Sequence, residues 1–226
     1  VLPPGPPPHI PAAYGWAMSA KSIIFAHVKK TDPHSLLRPV VWLCRFRHRC
    51  GYGVHSPFAF KLITEVFYER GEFYAYAPLA AMRRQANPGL SERTDRLLLR
   101  LTNDVQPRRV ALWGDALGMT RLYVEAGSRR AEVTEIGSGS LSGLEGCDML
   151  LARRPPHMLT LFDEFARQAP DRALCVIEGI HRNRQAAREW QAVKRHPRTT
   201  VSFDLYELGL VFLHPTLNRQ HYIVNF

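Results

Sequence analysis

The sequence predicts an α/β fold in which a doubly wound, mostly parallel sheet ends in an antiparallel C-terminal hairpin and is preceded by a helical segment. Three observations lead to this prediction. After Pro107, short apolar runs alternate with amphipathic stretches, which is typical of repeated strand and helix units. A tight turn at residues 207–209 separates two of the last apolar runs, which predicts an antiparallel pair. Before Pro107, apolar residues recur at helical spacing.

Length and composition indicate one globular body. The chain has 226 residues, of which 46% are hydrophobic and 22% charged, as in a soluble protein with a packed core. No run approaches the roughly 20 apolar residues that a membrane span needs. The longest candidate, residues 36–46, is interrupted by Arg38, Pro39 and Arg45. We therefore predict no membrane span.

The formal net charge of +10 bears on the partners of the protein and not on its fold. Basic residues occur in separate pairs, such as Arg108-Arg109 and Arg153-Arg154, and form no single block. This pattern favours a solvated surface, and nucleic-acid binding stays open as the less favoured alternative. Such binding would weaken steeply with salt.

The cysteines predict a reducing, cytoplasmic location. The chain has four cysteines and no recognisable secretory leader, which favours free thiols. Cys44, His48, Cys50 and His55 lie close together in sequence, but their spacing fits no tetrahedral zinc pattern. We therefore predict no metal site.

The chain divides into three predicted parts. Residues 1–17 are rich in proline and read as a disordered lead, or as sequence upstream of a start at Met18. Residues 18–106 form the helical segment, and residues 107–226 the α/β domain.

Helices are predicted in the N-terminal segment at residues 35–49, from Pro57 to about Arg70, and at residues 91–102. Ser56 can cap the second of these, and Pro57 fits its first position because the missing N–H has no partner there.

Seven strands are predicted in the α/β domain, with three helices after the first, third and fourth. The strands are expected at residues 109–113, 132–136, 148–152, 173–178, 199–206, 208–213 and 221–225. The helices are expected at residues 119–126, 157–168 and 183–195.

The first strand-to-helix turn is the first candidate site, because ligands of such sheets bind outside the carboxyl ends of the strands. Gly114 and Gly118 would let the backbone approach a ligand there, and the next helix offers free N–H groups. The alternative is that these glycines only serve a tight turn.

Two further strand ends carry acidic residues. Glu135 ends the second strand and could bind both hydroxyls of a ribose, although any exposed strand end can carry a glutamate. Glu178 and His181 follow the fourth strand, where His181 could act as a general base. The alternative for His181 is a helix-entry residue without a catalytic role, and we favour it from the residues alone.

Two segments resemble bacterial proteins related to class I S-adenosylmethionine-dependent methyltransferases. They are GYGVHSPFAFKLITEVFYERGEFY near the front and REWQAVKRHPRTTVSFDLYELGLVFLHPTLNRQHYIVNF at the end. The family patterns read HGVHSPF in the first and TVTIDLF, GIVFF and a closing QHF strand in the second. The resemblance implies a Rossmann-like fold and S-adenosylmethionine as cofactor. It implies cofactor contacts at Gly114, Asp115, Gly118 and Glu135, with Glu178 or His181 near the methyl acceptor.

The chain departs from the family where the cofactor should bind. The acid that opens the family motif ELGTSLGIST has become Leu112, and Asp115 could take over a polar contact. Residues 137–146 stand where the family supplies a helix, a third strand and another helix, so the sheet is predicted to lack one βα unit. Residues 151–156 lack the family's aspartate, and residues 177–182 keep one acid and the histidine.

Three readings follow from these departures. The chain is predicted to be a methyltransferase, or a degenerate relative, with an unknown acceptor. The first alternative is a noncatalytic interaction protein whose strand edge near Gly114 is plugged by Trp113, Met119 and their neighbours. The second is a protein that binds or modifies RNA.

Overall fold

The computed structural model describes residues 54–86 and 88–226. The predicted lead at residues 1–17, the predicted helix at residues 35–49 and the residues Cys44, His48 and Cys50 lie outside this part. In the part described, none of the helices combines the length and the hydropathy that crossing a membrane requires.

Six helices and one π-helical stretch surround or precede the sheet within the described residues. They are α1 (Pro57–Lys61), the π-helical stretch Leu62–Phe67, α2 (Tyr76–Gln85), α3 (Glu92–Val105), α4 (Gly118–Gly127), α5 (Met158–Gln168) and α6 (Arg184–Arg195).

Seven strands form one mixed sheet in the order β2-β1-β3-β4-β6-β5-β7. They are β1 (Arg109–Trp113), β2 (Glu132–Ile136), β3 (Met149–Arg153), β4 (Ala173–Glu178), β5 (Val201–Asp204), β6 (Leu208–Leu213) and β7 (Gln220–Ile223). Strands β2, β1, β3 and β4 are parallel, β6 is antiparallel to β4 and β5, and β7 is parallel to β5. The predicted Rossmann-like α/β fold with an antiparallel C-terminal hairpin is confirmed.

Both faces of the sheet are covered, as the apolar runs predicted. Alternate residues of a strand point to opposite faces, so Leu112 packs in one cluster with Leu98 of α3, whereas Ala111 packs in another with Phe162 of α5 and Trp190 of α6. The π-helical stretch shares the first of these clusters through Leu62, Ile63 and Val66, so it packs on the sheet itself. Tyr76 and Leu79 of α2 instead pack in a third cluster with residues of α3 and α4.

The N-terminal helices show two differences from the prediction. The helix from Pro57 ends at Phe67, and its second half is π-helical. Helix α2 was not predicted, because only Tyr76 and Leu79 of its ten residues are buried and no apolar stripe marks it. The predicted caps are present: Ser56 Oγ accepts from the backbone N–H of Ala59 at 3.4 Å, and Ser91 Oγ from that of Thr94 at 3.2 Å.

The hairpin turn lies earlier than predicted. Leu208 and Gly209 already pair with Glu178 and Ile177 of β4. The turn therefore occupies residues 205–207, and Leu205 donates its N–H to the carbonyl of Leu208 at 2.8 Å. Pairing with a neighbouring strand, which local sequence does not encode, set this boundary.

The connection between β2 and β3, residues 137–148, contains neither helix nor strand. The predicted loss of one βα unit is therefore confirmed, and β2 lies at an edge of the sheet.

Candidate functional site

The carboxyl ends of β1, β3 and β4 meet at one edge of the sheet. Trp113 of β1 is in register with Ala152 of β3, and Arg153 is in register with Glu178 of β4. Gly114, Arg153, Arg154 and Glu178 therefore stand side by side at the place where ligands of doubly wound sheets bind.

Position 114 requires a glycine because of its backbone conformation and because Arg153 lies close to it. Its φ of +117° belongs to a region that L side chains rarely adopt. A Cβ atom at this position would also lie 3.2 Å from Cβ of Arg153. Backbone conformation and packing therefore explain the glycine at position 114 without a bound ligand.

The side chain of Arg153 contacts the turn that follows Gly114. Its Nη1 donates to the carbonyl of Asp115 at 2.6 Å. Gly89, from the segment before α3, approaches the same turn so closely that a Cβ there would lie 2.0 Å from the carbonyl oxygen of Ala116 and 3.3 Å from Cζ of Arg153. Two groups of the chain itself, Arg153 and Gly89, thus contact the turn, while Asp115, Ala116 and Gly118 stay exposed.

Trp113 and Met119, expected to plug this edge in the interaction-protein alternative, have partners in the loop after β2 and in a cluster of mostly helical residues. The indole of Trp113 is buried and donates Nε1–H to the carbonyl of Ser140 at 2.7 Å. Met119 packs with Ala75, Tyr76 and other residues in a separate cluster. Local sequence gave no signal that Arg153, from a different strand, would cover the turn.

The other predicted cofactor residues differ in their surroundings. Gly118 begins α4, and a Cβ there would meet no atom within 4 Å, so packing does not explain this glycine. Asp115 is exposed, and its Oδ2 accepts from Ser138 Oγ at 2.9 Å. Glu135 Oε1 lies 3.6 Å from Nη1 of Arg121 on α4, so its carboxylate already faces a cation. Their roles as cofactor ligands stay predictions.

Glu178 is held at the same edge by one ion pair. Its Oε1 accepts from Nε of Arg154 at 3.0 Å. Its Oε2 is buried and has no hydrogen-bond partner among residues 54–86 and 88–226. Burial raises the pKa of this carboxyl above its ordinary value, and the charge of Arg154 offsets part of that effect.

The raised pKa of Glu178 predicts a pH-dependent contribution to stability. The folded state binds this proton more tightly than the unfolded state, so the contribution is full below the unfolded pKa and is lost as pH rises through the folded pKa. We therefore expect Glu178→Gln to raise the free energy of unfolding at neutral pH and to change it little in acid. Urea denaturation of both proteins at about pH 7 and about pH 4 would measure this difference.

Glu164→Gln is the matched control, because Arg167 lowers the pKa of that partly exposed carboxyl. Its contribution is present above the unfolded pKa and lost as pH falls through the folded pKa, so the substitution should be unfavourable only at neutral pH. If Glu178→Gln and Glu164→Gln changed the free energy of unfolding with the same pH dependence, the raised pKa of Glu178 would be contradicted.

His181 belongs to a polar cluster that sequence reasoning missed. Its Nε2 lies 2.6 Å from Oδ2 of Asp204, which also accepts from Trp190 Nε1 at 3.2 Å. The ring stacks on Tyr206 with centroids 5.6 Å apart. If the imidazole is neutral, donation from Nε2 leaves Nδ1 as an acceptor. The sequence signal that could have revealed this cluster is Asp204, an acid within an otherwise mostly apolar strand.

The arrangement at this edge does not fit a sulfonium cofactor. Arg153, Arg154 and Arg182 stand together there, and Arg182 donates to the carbonyls of Arg154 and Pro155 at 2.7 and 2.8 Å. Guanidinium groups so placed disfavour a sulfonium, although Glu178 offsets part of the charge of Arg154. Leu112 offers an adenosine no polar contact, and Glu135 faces Arg121. For metals, the described ranges contain no group of three or more His, Cys, Asp or Glu residues arranged to hold an ion.

Comparison with known proteins finds similarity in structure only. No protein-family model matches the sequence, and no curated protein matches it. Solved structures that are similar include an O-methyltransferase from Bacillus cereus in complex with SAH (TM-score 0.46, 11% identity, 63% of this chain and 92% of that chain). Another is the SAH-bound methyltransferase PaMTH1 from Podospora anserina (0.49, 11%, 70% and 95%). A third is a methyltransferase from Geobacter sulfurreducens (0.46, 19%, 63% and 90%). At these identities and scores no activity carries over to this chain.

Proposed function

We propose that this chain is a protein of methyltransferase-like fold that acts by binding and does not catalyse S-adenosylmethionine-dependent methyl transfer. The observation that supports the proposal is the position of Arg153, whose guanidinium donates to the carbonyl of Asp115, in the first strand-to-helix turn, at 2.6 Å. A cofactor bound in the manner of doubly wound sheets needs that turn.

A cofactor that binds at this turn would have to displace Arg153 and would still meet Gly89. Moving Arg153 breaks its hydrogen bond to a backbone carbonyl, and hydrogen bonds from charged groups are stronger than neutral ones. The backbone of Gly89, which approaches both Ala116 and Arg153, would stay in place. A sulfonium would have to offset these losses beside the remaining guanidinium groups.

The test is calorimetric titration of the full chain with S-adenosylmethionine and with S-adenosylhomocysteine. We expect no heat of binding at millimolar ligand, with circular dichroism showing that the sample is folded. Binding of either ligand in the micromolar range would overturn the proposal.

Arg153→Ser tests whether this side chain is what closes the edge. Removing the guanidinium should let S-adenosylhomocysteine bind measurably, with at least about tenfold higher affinity than the native chain. Arg167→Ser, on the exposed face of α5, is the matched control and should leave the titration unchanged. Equal titrations for the native chain and Arg153→Ser would show that Arg153 does not close the edge.

A second candidate is a methyltransferase that retains activity. Two observations favour it: the space above Gly118 is open, and a buried carboxylate orients His181 at the same edge. This candidate predicts micromolar binding by the native chain, which Gly114→Arg would abolish.

A further inference from the structure

Strand β2 presents an open edge. Its Glu132 N–H donates to the carbonyl of Arg108 at 2.7 Å, and its Ile136 carbonyl accepts from the N–H of Gly114 at 2.9 Å. Backbone groups alternate in direction along a strand, so Val133 and Glu135 turn their N–H and carbonyl groups away from β1. These groups have no hydrogen-bond partner within the described part of the chain. Such a row is a template for another strand.

We propose that a second copy of this chain pairs with β2 in an antiparallel, two-fold symmetric arrangement centred on Thr134. In this register Val133 lies opposite Glu135 of the other copy, and the two residues exchange both of their outward backbone hydrogen bonds. Symmetry repeats the exchange, so all four outward groups of each strand are satisfied. The two sheets become one continuous sheet. The proposal concerns a different edge from the cofactor turn and does not depend on whether that turn is closed.

Side chains favour this register over the one centred on Glu135. Thr134 faces Thr134 of the other copy, a pair that stabilises antiparallel strands. Glu132 faces Ile136, and Glu135 faces Val133, so no two carboxylates are opposite each other. Centring the pair on Glu135 instead would put Glu135 opposite itself, which is unfavourable.

Charges at the two ends of the strand are complementary under the same symmetry. Arg130 and Ser138 lie in the turns two residues before and two residues after β2, so the same symmetry brings the turn with Arg130 of one copy towards the turn with Ser138 of the other. Ser138 is bonded to the exposed carboxylate of Asp115 at 2.9 Å. We expect two contacts between Arg130 and Asp115 in each dimer, which would offset part of the repulsion between two chains of net charge +10.

A cavity lies next to the open edge of β2. A cavity of 170 Å³ opens beside the strand, lined by Arg109, Glu132, Thr134, Gly143, Glu145 and Cys147. Residues 132, 134 and 136 of the second copy fall on the same face of the joined sheet as Glu132 and Thr134, which line this cavity.

Sedimentation velocity of the full chain at several concentrations and physiological ionic strength tests the proposal. We expect the dimer fraction to rise with concentration. Val133→Pro removes an outward N–H without removing a bond to β1, because proline is tolerated at such edge positions. It should raise the dimer dissociation constant by about tenfold or more. A chain that is monomeric at every concentration would overturn the proposal.

Two sets of control variants test whether the dimer forms through β2. Ile223→Pro removes an outward N–H at the opposite edge, on β7, and should leave the equilibrium unchanged. Arg130→Asp and Asp115→Arg should each weaken the dimer, and the two together should restore it. A dimer that persists in Val133→Pro, or charge reversals that fail to compensate, would show that β2 is not the interface.

Discussion

Asp95→Ala is expected to lower the free energy of unfolding by about 3–5 kcal/mol, because it leaves a buried charge without its partner. The Asp95 side chain is 0% exposed and pairs with Arg83, which is 11% exposed. It also accepts from Thr120 Oγ1 at 2.7 Å, so one carboxylate connects α2, α3 and α4. Denaturant unfolding of both proteins would measure the difference.

Asp104→Ala is the matched control on the same helix. Its partner is Lys61 at 2.9 Å, but both side chains of that pair are partly exposed. An exposed pair contributes about 0–1 kcal/mol. The combined variant Arg83→Met with Asp95→Leu should lose less stability than Asp95→Ala, because no unpaired charge remains. Equal losses for Asp95→Ala and Asp104→Ala would contradict this account.

The Asp95 network also bears on the candidate site. Arg83, which Asp95 holds, donates to the carbonyl of Leu90 as well. Leu90 follows Gly89, the residue whose backbone presses on Ala116. The ion pair therefore fixes the segment that, together with Arg153, contacts the first turn of the sheet.

Trp190→Ala should cost about 3–5 kcal/mol, the usual loss for a large buried aromatic side chain. Trp190 is 0% exposed in the cluster between the sheet and α6. Gly209 of β6 is fitted to it, since a Cβ there would lie 2.7 Å from the indole ring. Loss of the ring also removes the Nε1–H that Asp204 accepts. Denaturant unfolding measures the cost.

Two variants separate packing from hydrogen bonding at this position. Trp190→Phe keeps an aromatic ring but no N–H, so it should cost clearly less than Trp190→Ala. Met82→Ala, at a half-exposed position of α2, should change stability by no more than about 0.5 kcal/mol. A cost for Trp190→Ala as small as that of Met82→Ala would show that the ring does not support the sheet.

Much of the fold could be predicted because it depends on local patterns. The bounds of β1, β2, β4 and β6 match the predicted ranges, since each is a short apolar or alternating run between turn residues. Residues 137–148 contain too few apolar residues for another helix and strand, and the sequence showed that directly.

Elements that local patterns do not mark were missed. Helix α2 has two buried residues and no stripe, so its position follows from Arg83 and from contacts with α3 and α4. The turn before β6 was displaced because β4 pairs with Leu208 and Gly209.

The sequence by itself determined the α/β class, the strands and the absence of one βα unit, because apolar periodicity and chain length are local properties. It also placed Gly114, Glu178 and His181 at one edge of the sheet. Only the tertiary structure decided what surrounds them. Arg153 reaches the turn after Gly114 from another strand, and Asp204 reaches His181 from a third. Such contacts join residues distant in the chain, so their geometry depends on strand order and register.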